Sequence, residues 1–168
     1  LNSGRGRRKR GRRERWDRTS TSSEVRTHTA LHVVKGALQS VLNTKITYST
    51  YVKESHGRIS VIMDRKPTDL EMENIIREAN RIVNEGLPIL REVVPRNEAE
   101  KIYGNDIYDY FPVPPEVKEL VIVKIPGWNI NACAKDHTQT TKEIGVIRLD
   151  YWRFRQAKRL LEVAFDVT

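Results

Sequence analysis

Three of the four histidines and the single cysteine of this 168-residue chain fall into two short motifs lying about 100 residues apart. The first, His28-Thr29-Ala30-Leu31-His32, has the i, i+4 spacing that puts both imidazoles on one face of a helix, one turn apart. The second is Cys133-Ala134-Lys135-Asp136-His137. Thiolate and imidazole together form a donor set suited to Zn²⁺. The joint occurrence predicts one zinc site built from His28, His32, Cys133 and His137, with one ion per chain, between the first helix and a later loop. Any fold of this chain must then bring its beginning against a segment near its end. A zinc finger is excluded, because ligands so far apart clamp a domain rather than a short loop. A thermolysin-type protease is excluded as well: H-E-x-x-H needs Glu after the first His, and position 29 is Thr. Two coordination schemes are open. Four protein ligands close the shell, or His137 stands off and leaves the open position typical of catalytic zinc. The fourth histidine, His56, sits in a Gly-containing turn and is expected to be solvated.

The charge is uneven. The chain carries a formal +8, of which +7 lies in residues 1–23 and +1 in the remaining 145 residues. Residues 1–23 are rich in Arg, Gly and Ser. They lack the apolar surface needed to offset the entropy of ordering, so they are expected to be a disordered basic arm or a non-native leader. Residues 24–168 are expected to form the globular domain. One cysteine rules out an intramolecular disulfide. No apolar run approaches the ~18–20 residues of a membrane span, and no signal peptide is visible, so a cytoplasmic location is expected.

Apolar residues at spacings of three and four predict a helix from Val25 to Leu42. Ile46–Lys53 and Arg58–Asp64 read as a hairpin turning at Ser55-His56-Gly57. Thr68 caps a second helix that ends at Gly86. Pro88–Val94 reads as a strand, Arg96–Tyr103 as a short helix and Glu119–Ile125 as a buried strand. Residues 126–143 look irregular, and strands follow at Ile144–Phe154 and Leu160–Val167. This order predicts an α+β fold with a mainly antiparallel sheet and helices packed on one face.

The two motifs, together with Arg26–Ala37, Thr47–Val52, Tyr110-Phe111-Pro112-Val113-Pro114, Asn129–Cys133 and Glu143-Ile144-Gly145, resemble the editing domain of alanyl-tRNA synthetase and its small freestanding relatives, the AlaX proteins. The resemblance covers residues 24–168. It implies a trans-acting, zinc-dependent aminoacyl-tRNA deacylase. Such an enzyme cleaves the ester of mischarged tRNA(Ala), chiefly Ser-tRNA(Ala), with Gly-tRNA(Ala) as a second substrate. It also implies that Thr47 reads the serine hydroxyl. The sequence departs from the family where Ala134 and Lys135 replace glycines after the cysteine, and where Lys142 follows Thr141 in place of glycine. Both departures bear on amino-acid preference.

Ester hydrolysis requires an attacking water and a stabilised oxyanion. Zinc would activate the water or hold the substrate's amino group and position the ester; four candidate ligands favour positioning. The expected partner is the acceptor end of mischarged tRNA(Ala). Lys35, Lys53, Lys135 and Lys142 are candidates for its phosphates, and Tyr110 and Trp128 for stacking on its terminal adenine. Two other readings compete: a zinc-stabilised RNA-binding module without catalysis, and a zinc hydrolase acting on another small ester.

Overall fold

The computed structural model describes residues 21–168. The first twenty residues of the basic arm lie outside this range. Helix α1 spans Ser22–Leu42, and it is followed by β1 (Thr47–Lys53), β2 (His56–Ile62) and helix α2 (Asp69–Glu85). Then come β3 (Leu90–Pro95), α3 (Arg96–Tyr103), β4 (Glu119–Ile125), β5 (Asn129–Ala132), β6 (Ile147–Arg155) and β7 (Leu160–Val167). Short 3₁₀ turns lie at Gly104–Ile107, Thr141–Ile144 and Gln156–Lys158. The fold is α+β with antiparallel strands. The strands divide into two sheets, ordered β1-β2-β7-β6 and β3-β4-β5.

Helix α1 begins three residues earlier than its apolar pattern indicates. Thr21 and Glu24 form a reciprocal capping box that satisfies the first backbone donors. The helix ends at Asn43, which takes the left-handed conformation at φ 58° and donates its N–H to Gln39 O. Between Thr27 and Leu38 only His28 is not buried. This burial follows from position: α1 packs on β1, β2 and β7 of the larger sheet, on β5 of the smaller sheet, and on α2. Burial therefore extends to Lys35 and His32 and is not confined to one apolar stripe.

Helix α2 is amphipathic and buries Met72, Ile75, Ala79, Ile82 and Val83. These meet Val33, Val34, Ala37 and Leu38 of α1, and Ile59, Val61, Leu161, Val163 and Phe165 of the larger sheet. A smaller core of Ala99, Ile107, Leu120 and Ile122 lies under the three-stranded sheet. Thr68 caps α2 in a second capping box with Glu71. Thr68→Ala is expected to cost about 1 kcal/mol, read as a lower midpoint in urea with an unchanged slope.

Three expectations are corrected. The first hairpin turns at Glu54-Ser55, with Glu54 at φ 50°, and His56 already pairs with Lys53. Gly57 is a strand residue, required because a Cβ there would lie 2.5 Å from Phe165 Cζ. Residues 129–132, expected to be irregular, form β5, which pairs with β4 across a turn at Gly127 (φ 69°). Ile144, expected in a strand, closes a 3₁₀ turn, and β6 begins at Ile147.

Candidate metal centre

Strands β4 and β5 deliver the second motif to the face of α1. Cys133 follows β5 directly, and its N–H donates to Val121 O of β4 at 2.9 Å. The far end of the motif is tied to the helix: Thr138 N donates to Thr29 Oγ1 at 2.9 Å. Thr29, the residue that breaks the protease motif, thus holds the second motif against the first. Thr141 extends this anchoring by donating to Ile82 O at 2.7 Å and accepting from Leu87 N at 2.9 Å.

The result is a compact donor group. Ligand atoms of His32, Cys133 and His137 all lie within 4.8 Å of one another. Cys133 Sγ is 3.7 Å from His137 Nε2, and the His32 and His137 ring centroids are 4.8 Å apart. His28 lies outside this group of three. It is half-buried one turn before His32 and lines the same cavity. His137, which one scheme left standing off, is in the compact group, while His28 stands off.

Burial keeps these groups uncharged. It pushes His32 down to about 3, with the neighbouring His137 imidazole and Lys35 adding to the effect. Burial and then His28 hold His137 down at about 4. His28 is lowered by burial and by Lys135. Burial raises the Cys133 thiol, opposed by the Lys135 backbone N–H. Neutral imidazoles keep a lone pair free, and a thiol proton is the one that a coordinated metal displaces. The donor chemistry and spacing therefore fit a metal held by two imidazoles and one thiolate.

Asn129 is a positioning residue that the motifs alone do not reveal. His32 Nδ1–H donates to Asn129 Oδ1 at 3.2 Å, which leaves Nε2 as the ring's free donor atom for a metal. Asn129 Nδ2 in turn donates to Gln39 Oε1 at 3.3 Å. The sequence signal is an Asn in the run that ends at Cys133, but its partner becomes visible only in the fold.

The group opens on a cavity of about 280 Å³ lined by His28, His32, Lys35, Thr47, Asn131 and Cys133, among others. Among the described residues, the buried side-chain polar atoms without a hydrogen-bond partner are Thr47 Oγ1 and Asn131 Oδ1. Both residues line this cavity. Thr47 is 2% exposed. Asn131 Nδ2 is held by Ile107 O at 3.2 Å and Asp109 Oδ1 at 3.4 Å, and its acceptor oxygen is left over. A larger cavity of about 420 Å³ shares Asn129 with this region but is lined by no His or Cys.

The RNA-contact candidates separate. Lys35 is 5% exposed and paired with Asp109 at 2.8 Å, so it is not a free surface cation. Trp128 donates to Val33 O at 2.9 Å and lies against Gly36, which makes it an anchor between β5 and α1. Lys135 lines the cavity, and Lys53 and Lys142 are exposed.

Known proteins add a relationship to this geometry. No family model matches the chain. It is 38% identical over 126 residues to the alanine–tRNA ligase of Methanopyrus kandleri, covering 74% of this chain and 14% of that protein. It is 35% identical over 136 residues to the alanine–tRNA ligase of Methanothrix thermoacetophila, covering 80% of this chain and 15% of that protein. The alanine–tRNA ligase of Methanococcus aeolicus is 34% identical over 126 residues, with 74% and 14% covered. The chain thus spans about one-seventh of the length of the curated relatives it matches. By this similarity and by the pairing of its two motifs, the chain belongs to the alanyl-tRNA synthetase editing-domain family.

Proposed function

We propose that the chain is an editing hydrolase that acts in trans, in the cytoplasm, on the acceptor end of mischarged tRNA(Ala). Its principal substrate is Ser-tRNA(Ala), with Gly-tRNA(Ala) as the second. The observation that carries this reading is the His32–Cys133–His137 group opening on a cavity that also holds a buried, unpartnered threonine hydroxyl. The relatives are alanine–tRNA ligases, which supports tRNA(Ala) as the macromolecular partner.

His32, Cys133 and His137 would hold one Zn²⁺, and His28, on the same cavity wall, would supply the fourth position. When bound, zinc supplies Lewis-acid chemistry at the ester or at the substrate's amino group. The chain's own groups do the rest. Asn129 keeps His32 in the Nδ1–H tautomer. Thr47 Oγ1 pairs with the serine hydroxyl, and Asn131 Oδ1 accepts an N–H of the substrate's α-amino group. The ion pair of buried Lys35 with half-exposed Asp109 stiffens the wall between them.

The logic is a second sieve. A small apolar synthetic pocket rejects an added hydroxyl by only ~10²-fold, so an editing pocket gains by rewarding that hydroxyl. Thr47→Val keeps the shape and removes the hydrogen bond. It is expected to lower deacylation of Ser-tRNA(Ala) about tenfold and to leave Gly-tRNA(Ala) within about twofold of wild type. An equal loss on both would show that Thr47 supports the strand and does not read serine.

The reading as a whole is tested by offering Ser-, Gly- and Ala-tRNA(Ala), together with free serine esters, to the metal-loaded chain. Release of serine from tRNA with alanine retained supports it. Binding of tRNA without turnover would indicate an RNA-binding module instead. Turnover of free esters with charged tRNA left intact would indicate a hydrolase of small esters.

A further inference from the structure

Three aromatic side chains next to the cavity belong to neither hydrophobic core. Tyr48, Tyr110 and Phe111 form one cluster. Ring centroids are 5.1 Å apart for Tyr48–Tyr110, 5.6 Å for Tyr48–Phe111 and 5.0 Å for Tyr110–Phe111, the last pair nearly perpendicular at 86°. Tyr110 is 52% exposed and Phe111 66%. Rings clustered at the surface without a core beneath them mark a contact surface rather than a packing site.

The backbone fixes this cluster to the wall of the cavity. Tyr48 sits at the bulge of β1 between Thr47 and Ser49, and a bulge re-aims a side chain out of the strand's alternation. Tyr110 N donates to Thr47 O at 2.7 Å. The residue before Tyr110 is Asp109, which lines the cavity and pairs with Lys35. The cluster and the hydroxyl of Thr47 therefore share one wall.

We propose that Tyr48, Tyr110 and Phe111 form the stacking platform for the adenine at the 3′ end of the tRNA. This rests on the editing reading above. In an aminoacyl-tRNA the ester joins the acyl group to the ribose of that adenosine. When the acyl group occupies the cavity, the base must lie within one nucleoside's span of it. Aromatic side chains on that span supply the π-face on which an unpaired base stacks. A lysine ammonium offers no π-face for this, and Lys35, the cation candidate on the same wall, is in addition buried and paired with Asp109.

The test is an NMR titration of the full chain with the trinucleotide CCA. Ring-proton shifts are expected at Tyr48, Tyr110 and Phe111. The double substitution Tyr110→Ala/Phe111→Ala is expected to weaken CCA binding about tenfold, while Tyr110→Trp retains it. A trinucleotide lacking its 3′ base should bind wild type as weakly as CCA binds the double variant. Both side chains are exposed, and an unchanged far-UV circular dichroism spectrum confirms that the double variant folds. Equal CCA binding by wild type and double variant, or shifts confined to other surfaces, overturns the platform. Deacylation of Ser-tRNA(Ala) by wild type, measured alongside, keeps the two failures apart. Turnover without a binding difference removes the platform alone, and absence of turnover removes the editing reading.

Discussion

Cys133→Ala is expected to lower deacylation of Ser-tRNA(Ala) by more than about 100-fold and to release the metal. Changes to residues that merely orient a ligand typically cost 10–100-fold in metal affinity or activity, so loss of a ligand sets a larger expectation. The thiolate is the only sulfur donor among the three closest groups, which leaves two imidazoles and the more distant His28. The side chain is small and only partly buried, so the fold itself should survive. Metal content and turnover should therefore fall together while the far-UV spectrum stays unchanged. Cys133→Ser, which keeps the size but offers a poor ligand, should resemble Cys133→Ala. Loss of turnover with full metal content would contradict this account of Cys133.

Phe165→Ala is expected to be the most destabilising single truncation in the larger core, at about 3–5 kcal/mol. Phe165 is fully buried in β7, opposite Gly57 of β2. The ring fills the place that a side chain at Gly57 would occupy, so its removal leaves a void that β2 has no side chain to fill. For a chain of this size the loss corresponds to a fall in melting temperature of roughly 10 °C or more. A denaturant midpoint that moves with an unchanged slope would confirm a loss of stability rather than a change of unfolded state. A cost under about 1 kcal/mol would show that the region collapses around the void.

Both predictions bear on how much of the molecule is legible in its sequence. The motifs are local patterns, and they point to the residues that the fold gathers: His32, Cys133 and His137 converge across about 100 residues of chain. The pattern does not say which histidine stands off, because that depends on side-chain direction at the end of a packed helix. Helix α2 is legible at both ends, since Thr68 and Gly86 are local signals. The start of α1 was equally open to reading in Thr21 and Glu24 but is masked by the polar serines that follow. Gly57 misleads for a physical reason: glycine marks turns and also close approaches, and here it admits the Phe165 ring from a strand more than 100 residues later. Asn129 and Asn131 look like loop residues. They become strand residues through pairing with β4, and their roles emerge only once His32 and the cavity are placed. Lys35 reads as a surface cation until the packing of α1 against both sheets buries it beside Asp109. The division into two sheets follows from long-range pairing that no local pattern encodes.

The most direct test is the rate of deacylation of Ser-tRNA(Ala) by the purified chain before chelation, after chelation and after Zn²⁺ is restored. The account predicts rapid release of serine with Ala-tRNA(Ala) spared, loss of that activity in the metal-free protein, and recovery with Zn²⁺. Full activity in the metal-free chain would contradict it, as would failure of the zinc-loaded chain to release serine.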